Sequence, residues 1–258
     1  ARDAGNADRQ LEALTRLGID WDEAPVRQSD RGAVYARAIA QLQDQGLIYE
    51  CTCTRRDILA APSAPHAPPG AYPGTCRSRT RAEQERAAQD IAPRVPALRL
   101  RTPEGAIAPD FTDVMLGTVR GEIDDFVVRR GDGTVAYNLA VVVDDANQGV
   151  VQVVRGDDLA SSTPRQILLQ QLLGVPTPEY AHVPLVLGPT GARLAKRDGA
   201  VTLADLRERG VTDAEVRSQL AVSLDLARPG ELVSTAQLLE RFDPDRIPRS
   251  PWKWLPEA

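Results

Sequence analysis

The sequence predicts an α/β fold, with a parallel sheet and a crossover helix that form half of a nucleotide-binding domain. The prediction rests on the order of the elements between residues 150 and 200. An apolar run over 150–159 is interpreted as a buried strand that ends in the charged turn R-G-D-D. A helix follows, then a second apolar strand over 182–188 and a basic, glycine-rich loop over 188–200. Strand, charged turn, helix, strand and loop in this order are typical of a parallel α/β unit.

The composition indicates the general class of protein but gives little information about its function. The 258 residues are enough for one large core or two modest domains. There is no apolar run of membrane-spanning length and no signal peptide, and three cysteines are an odd number, so a reducing cytoplasm is favoured over a disulfide framework. The net charge of -5 means that a nucleic-acid partner would need a local basic surface.

The N-terminal residues predict two helices that pack through apolar faces. Asn6 can cap the first, which carries leucines on one face and ends at Gly18. Ser29 can cap the second, which is longer and stops at Gly46. The residues predicted to face inward on the second helix are Tyr35, Ile39 and Leu42.

Short helices and strands are predicted between residues 47 and 135, most of them in an inserted α+β subdomain. Residues 61–75 are rich in Pro, Gly, Ala and Ser, a loop composition, and Asp132-Gly133 fits a hairpin turn. The predicted elements are an extended stretch over 47–53, a short helix capped by Thr54, a helix over 80–89, strands over 97–101 and 111–120, and the hairpin within 124–135.

The helix between the two apolar strands has predicted ends. Thr163 is the expected N-cap, Pro164 the first helical residue and Gly174 the C-cap. After the basic loop the pattern changes to short helices separated by Gly and Pro. They are predicted over 203–209, 213–222 and 235–242.

Motifs in the second half of the chain resemble the glutamyl branch of the class I aminoacyl-tRNA synthetases. R-L-A-K-R at residues 193–197 resembles the second signature of that class, K-M-S-K-R. Y-N-L-A-V-V-V-D-D at 137–145 and V-V-R-G-D-D-L at 153–159 are similar to the glutamyl branch. The similarity is greatest to its short members, the glutamyl-queuosine tRNA(Asp) synthetases, and covers nearly the whole chain.

The resemblance implies a Rossmann-like catalytic domain with a zinc-containing α+β insertion and a small C-terminal helical subdomain. The first class signature, H-I-G-H, is not in the sequence, nor is the strand that would precede it. The chain is therefore expected to begin inside a longer protein, and this polypeptide alone is not expected to activate glutamate. The implied divisions are the remainder of the first catalytic half over 1–48, the acceptor-type insertion over 49–125, the second catalytic half over 126–190, and the signature loop with stem-contact helices over 191–258, without an anticodon-binding domain.

A metal site is suggested by the close pair Cys51 and Cys53 and the more distant Cys76. Thiolates are favoured zinc ligands, but spacing alone leaves ordinary buried thiols as an alternative and His66 as a possible fourth donor. The resemblance implies a site of the form C-x-C…Y-x-x-x-C, which adds Tyr72. Four protein ligands leave no open position, so the implied zinc is structural, one ion per chain.

The resemblance also implies adenylate formation from ATP and L-glutamate, with Mg²⁺ expected. Lys196 matches the catalytic lysine of the second signature, and Arg193 and Arg197 would join it in binding ATP. A lysine on a glycine-rich loop can neutralise charge that develops on the phosphates. The alternative is that these three side chains form only a solvated basic turn.

Tyr137 and Arg155 fall on the glutamate-binding positions of the family. Arginine matches a carboxylate with two parallel hydrogen bonds, and Arg155 is predicted at the end of a strand, where such sheets bind ligands. The alternatives are an ion pair between Arg155 and Asp157 or Asp158, and core packing for Tyr137. Val141 stands where full-length glutamyl-tRNA synthetases commonly have Asn.

Three functions follow from these expectations. The leading one is transfer of glutamate to the queuosine of tRNA(Asp) by a cytoplasmic monomer. The second is a truncated synthetase that charges tRNA(Glu), and the third is a catalytically silent, zinc-stabilised RNA-binding fragment. Asp144, Asp145 and His182 are expected to be structural in each case.

Overall fold

The computed structural model describes residues 5–60, 71–188, 190–192 and 202–254. The chain divides into two units, one formed by Ala1–Pro25 with Val183–Ala258 and the other by Val26–His182. The α-helices are α1 (Asn6–Arg16), α2 (Gly32–Asp44), α3 (Arg55–Ala60), α4 (Arg81–Asp90), α5 (Tyr137–Asn147), α6 (Thr163–Leu173), α7 (Leu203–Glu208), α8 (Asp213–Ser223) and α9 (Thr235–Arg241). The strands are β1 (Ile48–Cys51), β2 (Ala97–Leu100), β3 (Phe111–Asp113), β4 (Gly117–Val119), β5 (Val127–Arg129), β6 (Gln152–Gly156), β7 (Glu179–Val183), β8 (Val186–Leu187) and β9 (Trp252–Lys253).

The main core of the larger unit forms between helices α2, α5 and α6 and the sheet β1-β2-β5. Both strand pairs of this sheet are antiparallel. Tyr35, Ile39 and Leu42 lie on one face of α2 and are buried, as the periodicity predicts. Each fully buried side chain of this kind contributes roughly 1.5–3 kcal/mol, so the core is the main source of stability for this unit.

A second sheet in the larger unit has the strand order β4-β3-β7-β6. Strands β3 and β7 are parallel, with Asp113 opposite Tyr180, whereas β3 and β4 form an antiparallel hairpin. The predicted α/β class is confirmed, but a uniformly parallel sheet is not. Strands β1, β2 and β4 pair antiparallel with their neighbours, and the order of elements over residues 150–200 carried no information about these pairings.

Two predicted strands differ from the structure because an apolar run does not fix burial or continuity. The run 150–159 contains only β6, which lies at the end of its sheet, with Val151 80% and Val154 61% exposed. The expectation of a buried strand was therefore wrong. The run 182–188 is divided between β7 and β8, and the interruption includes Pro184, which has no N–H for a strand ladder.

Three other boundaries also differ. Ser162, not Thr163, occupies the N-cap of α6, and the Thr163 hydroxyl is used elsewhere. Ser29 lies in a 3₁₀ turn, and α2 begins only at Gly32. The predicted strand over 111–120 is a hairpin, because the carboxylate of Asp113 accepts hydrogen bonds from the two N–H groups of the turn that follows it.

Capping residues organise the short helices. Thr80 forms a capping box with Glu83 at the start of α4, within the helix that the sequence predicts over 80–89. In the smaller unit, α7, α8 and α9 each begin with a capping box and agree with the predicted helices to within one or two residues. Strands β8 and β9 of this unit are parallel. Within the described residues, no helix is both long enough and apolar enough to span a bilayer.

Asp144 is expected to be a major stability determinant of the larger unit. Its carboxylate accepts hydrogen bonds from Gln28 Nε2 at 3.0 Å, Arg31 Nε at 2.6 Å and Tyr35 Oη at 2.8 Å. Asp144→Asn should lower the free energy of unfolding by about 3 kcal/mol, since it breaks a largely buried ion pair. Urea titration measures this.

The adjacent carboxylate provides a matched control. Asp145 has no side-chain hydrogen bond or ion pair within the described part of the chain, and burial, with a contribution from Asp144, raises its pKa. Asp145→Asn should therefore change stability by less than about 0.5 kcal/mol. Equal losses from the two variants would contradict the assignment of Asp144.

Candidate functional site

The four predicted metal ligands lie together in the larger unit. Cys51 ends β1 and Cys53 follows it, while Tyr72 and Cys76 come from the turn before α4. The three cysteine Sγ atoms lie within 4.8 Å of one another. Cys53 and Cys76 Sγ are 3.6 Å apart, and the Tyr72 hydroxyl oxygen is 3.5 Å from Cys51 Sγ. We call these four residues the sulfur cluster. His66, the alternative donor, lies outside the described residues.

The geometry of the sulfur cluster fits a tetrahedral zinc ion. Bonds of about 2.3 Å to sulfur and about 2.0 Å to oxygen place neighbouring ligand atoms about 3.8 Å apart for two sulfurs and about 3.5 Å for sulfur and oxygen. The separation of 3.6 Å between Cys53 and Cys76 Sγ and that of 3.5 Å between Cys51 Sγ and the Tyr72 oxygen are close to these values. The backbone N–H of Cys76 donates to the Tyr72 oxygen at 2.8 Å, which fixes the direction in which that oxygen faces.

The charges in the sulfur cluster also suit a cation. The neighbouring Cys51 thiol lowers the pKa of Cys76, against the effect of burial, and Cys76 in turn raises the pKa of Cys51. Burial, followed by the hydrogen bond to Cys76, raises the pKa of Cys53. The guanidinium of Arg99, which is 5% exposed, lies 3.7 Å from the centre of the Tyr72 ring and would offset part of the anionic charge of a loaded site.

A second group of polar residues surrounds Arg155 in β6. Arg155 Nε donates to His182 Nε2 at 3.0 Å, and its Nη2 donates to Thr163 Oγ1 at 2.8 Å. Its guanidinium carbon lies 5.3 Å from the centre of the Tyr180 ring. Among the described residues no carboxylate forms an ion pair with Arg155, so the alternative of an internal ion pair finds no support.

His182 is itself held by Asp113. Both side chains are fully buried, and His182 Nδ1 is 2.6 Å from Asp113 Oδ2. The backbone N–H of His182 also donates to this carboxylate. Burial opposes ionisation of Asp113, but the hydrogen bonds from His182 and from nearby backbone N–H groups outweigh it and lower the pKa of the carboxyl. We call Asp113, His182, Thr163 and Arg155 the arginine cluster.

Tyr137 is the first residue of α5 and is 47% exposed, so it is not a core residue. Burial raises the pKa of Tyr180, with smaller contributions from Asp145 and Tyr137, whereas the hydrogen bond from Gln170 and the charge of Arg155 oppose the rise. The exposure of Tyr137 leaves this residue accessible to a ligand.

The remaining predicted site residues, Arg193, Lys196 and Arg197, lie outside the described residues. Sequence reasoning missed Asp113 and Thr163 as parts of the site, and Arg99 beside the sulfur cluster. Asp113 is 69 residues from His182 in the chain, and no local motif marks the pair. Because Pro164 follows it, the sequence marks Thr163 as a helix cap but not as a partner of Arg155.

Comparison with known proteins gives a family match over almost the entire chain. Residues 1–254 match the model of the class I tRNA synthetases (E and Q), catalytic domain. The Glutamyl-Q tRNA(Asp) synthetase of Nocardia farcinica is 55% identical over 252 residues, which are 96% of this chain and 77% of that protein. The protein of the same name from Symbiobacterium thermophilum is 46% identical, with 95% of this chain and 79% of the relative covered.

Two further matches are to proteins whose names refer to glutamate and tRNA. The Glutamate–tRNA ligase of Pelobacter propionicus is 36% identical, and the match covers 98% of this chain and 53% of the ligase. The crystal structure of Glutamate-tRNA Synthetase from Elizabethkingia anophelis has a TM-score of 0.76 at 24% identity, with 98% of this chain and 59% of the solved chain covered. This likeness establishes the shared fold.

Proposed function

The chain belongs to the class I tRNA synthetases of the glutamate and glutamine type, whose catalytic domain it contains, and from this premise we propose its reaction. The enzyme, a ligase, activates L-glutamate with ATP and transfers the glutamyl group to the queuosine base of tRNA(Asp). In the first step a carboxylate oxygen of glutamate attacks the α-phosphorus of ATP, and pyrophosphate leaves. In the second step the acyl group passes to the tRNA, and AMP leaves.

Arg155 and Tyr137 are proposed to bind the side chain of glutamate. Arg155 already has a fixed orientation, and within the described residues its Nη1 has no hydrogen-bond partner. A cation of this kind pairs with a carboxylate through two parallel hydrogen bonds. Lys196, with Arg193 and Arg197, is proposed to stabilise the phosphates of ATP together with Mg²⁺.

The sulfur cluster is proposed to hold one structural zinc ion. A closed tetrahedral site of three thiolates and one phenolate would join β1 to the turn before α4. The ion would stabilise this part of the larger unit. It leaves no position for a substrate, so the ion has no catalytic role.

The choice of acceptor rests on one observation, the 55% identity to the Nocardia farcinica protein over 96% of this chain. Val141, where full-length glutamyl-tRNA synthetases commonly have Asn, supports the same choice. The second candidate is glutamylation of tRNA(Glu), which the 36% identity to the Pelobacter propionicus ligase favours.

The test uses the complete protein that the gene encodes, with ATP and labelled glutamate. One reaction contains tRNA(Asp) with queuosine, one contains tRNA(Asp) without it, and one contains tRNA(Glu). Label on the first tRNA alone is the expected result. Label on tRNA(Glu) would establish the second candidate. Pyrophosphate exchange without labelled tRNA would support activation of glutamate but exclude both tRNA acceptors. The absence of any exchange would contradict the proposal that the protein is a glutamate-activating enzyme.

Tyr72 is expected to contribute directly to zinc affinity. Tyr72→Phe keeps the ring under Arg99 but removes the oxygen ligand, so affinity should fall by about ten- to hundredfold. Competition with a chromophoric chelator measures the change. Tyr49→Phe is the matched control, because the Tyr49 hydroxyl is also buried but donates to Asp125 at 2.6 Å. Unchanged affinity in Tyr72→Phe would exclude the phenolate ligand.

A further inference from the structure

We propose that His182, held in place by Asp113, is a positioning residue that fixes Arg155 so that only the outer Nη1–Nη2 edge of the guanidinium can receive a substrate carboxylate. The inference rests on the proposed function, in which that carboxylate belongs to the side chain of glutamate. His182 would act only by holding Arg155 in place and would not contact the substrate.

Two of the hydrogen-bond donors of Arg155 are already used within the protein, and both lie on the same side of the guanidinium. A guanidinium has five N–H groups, one on Nε and two on each terminal nitrogen. The Nε–H is used by His182 Nε2, and one Nη2–H is used by Thr163 Oγ1. These two acceptors are 3.3 Å apart and occupy the side of the guanidinium that Nε and Nη2 share. Three N–H groups remain, two on Nη1 and one on Nη2, and one from each nitrogen points outward along the terminal edge.

The protonation of His182 follows from its partners. An arginine has no acceptor, so Nε2 must supply a lone pair to Arg155, and the ring proton is on Nδ1. Nδ1 donates it to Asp113 Oδ2 at 2.6 Å. With both ring nitrogens engaged and the side chain fully buried, His182 serves as a fixed acceptor for the Nε–H of Arg155.

The fixed edge gives a basis for selecting glutamate over glutamine. Two parallel N–H donors match two carboxylate oxygens. The amide of glutamine would bring its own N–H₂ against one of these donors and leave it unpaired. If Arg155 could rotate, it could turn a single N–H toward the amide oxygen, and discrimination would fall.

The test compares two substitutions of similar volume in the complete protein. His182→Gln keeps an acceptor for Arg155, whereas His182→Leu removes it. In ATP–pyrophosphate exchange, His182→Leu should raise the KM for glutamate by about ten- to hundredfold and leave the KM for ATP within about twofold. His182→Gln should restore most of the loss, to within about fivefold of the natural protein. His182→Leu should also lose discrimination against glutamine.

A control substitution nearby distinguishes a loss of stability from a loss of glutamate binding. Gln170, also in α6, donates to the Tyr180 hydroxyl at 2.9 Å and does not contact Arg155. Gln170→Leu should lower the melting temperature without changing the KM for glutamate. If His182→Leu does not fold, Thr163→Val removes the other acceptor and should raise the KM for glutamate selectively.

Nuclear magnetic resonance of the Arg155 Nε–H gives a readout that needs no activity. This proton should exchange slowly with solvent in the natural protein and in His182→Gln, and rapidly in His182→Leu. Its resonance is assigned by its loss in Arg155→Lys. If the natural protein protects this proton but does not activate glutamate, the proposed function is wrong, whereas the fixed orientation of Arg155 is supported. Rapid exchange in the natural protein, or an unchanged KM for glutamate in His182→Leu, would overturn the inference.

Discussion

Arg155→Leu should reduce kcat/KM for glutamate in ATP–pyrophosphate exchange by about a thousandfold, which corresponds to about 4 kcal/mol of binding to the transition state. The effect is large because the substrate carboxylate would lose its cation while it remains removed from water. Arg155→Lys should recover only a small part, since an ammonium cannot reach His182, Thr163 and a carboxylate in one plane. Steady-state kinetics with varied glutamate gives the change.

The control for this prediction is another arginine of the larger unit. Arg165 in α6 forms an ion pair with Asp124 at 2.7 Å, and neither residue belongs to the arginine cluster. Arg165→Leu should lower stability and leave the kinetic constants for glutamate close to those of the natural protein. If both arginine variants lose activity to the same degree, Arg155 has no special relation to glutamate.

Removal of zinc should have the largest effect on stability. Structural zinc contributes apparent binding free energies of about 10–16 kcal/mol in small domains, as much as the whole stability of an ordinary protein. Cys76→Ser should therefore lose the ion and open the segment from β1 to α4. The larger core, which is built from α2, α5, α6 and the sheet, should persist, because the sulfur cluster contributes none of its residues.

Elemental analysis and limited proteolysis measure these two effects. The natural protein should contain one zinc ion per chain and resist cleavage within residues 51–60 and 71–80 until a chelator is added. Added zinc should restore resistance to the natural protein but not to Cys76→Ser. A chelator-treated protein that keeps its melting temperature and its resistance would show that the sulfur cluster consists of ordinary buried thiols.

The helices of this fold could be predicted because their signals are local. Periodic apolar residues mark α2, and a capping residue marks the start of α4 and of each short helix near the C-terminus. Strand pairing is not local, so the sequence did not reveal that β3 turns back on itself at Asp113. The exposure of β6 could not be predicted either, because an apolar run has the same appearance at the edge of a sheet as at its centre.

In the candidate site, too, residues with a local or family motif could be predicted and residues brought together only by folding could not. Arg155 was predicted because it lies at the end of an apolar run and matches a family motif, and the four members of the sulfur cluster were predicted by resemblance, since spacing alone left His66 as a possible donor. The supports of Arg155 could not be found. Asp113 and His182 belong to strands that become neighbours only when the chain folds. Sequence reasoning identified the side chain of Arg155 but not the orientation of its guanidinium.

That orientation has a thermodynamic consequence for recognition. A free arginine side chain loses about 2 kcal/mol of rotamer entropy when it is immobilised. In this protein most of that loss occurs during folding, when Arg155 bonds to His182 and Thr163. If Arg155 binds glutamate as proposed, the ligand meets a preorganised partner, and a larger share of the interaction energy remains as affinity. The buried histidine and aspartate transfer an entropic cost from binding to folding.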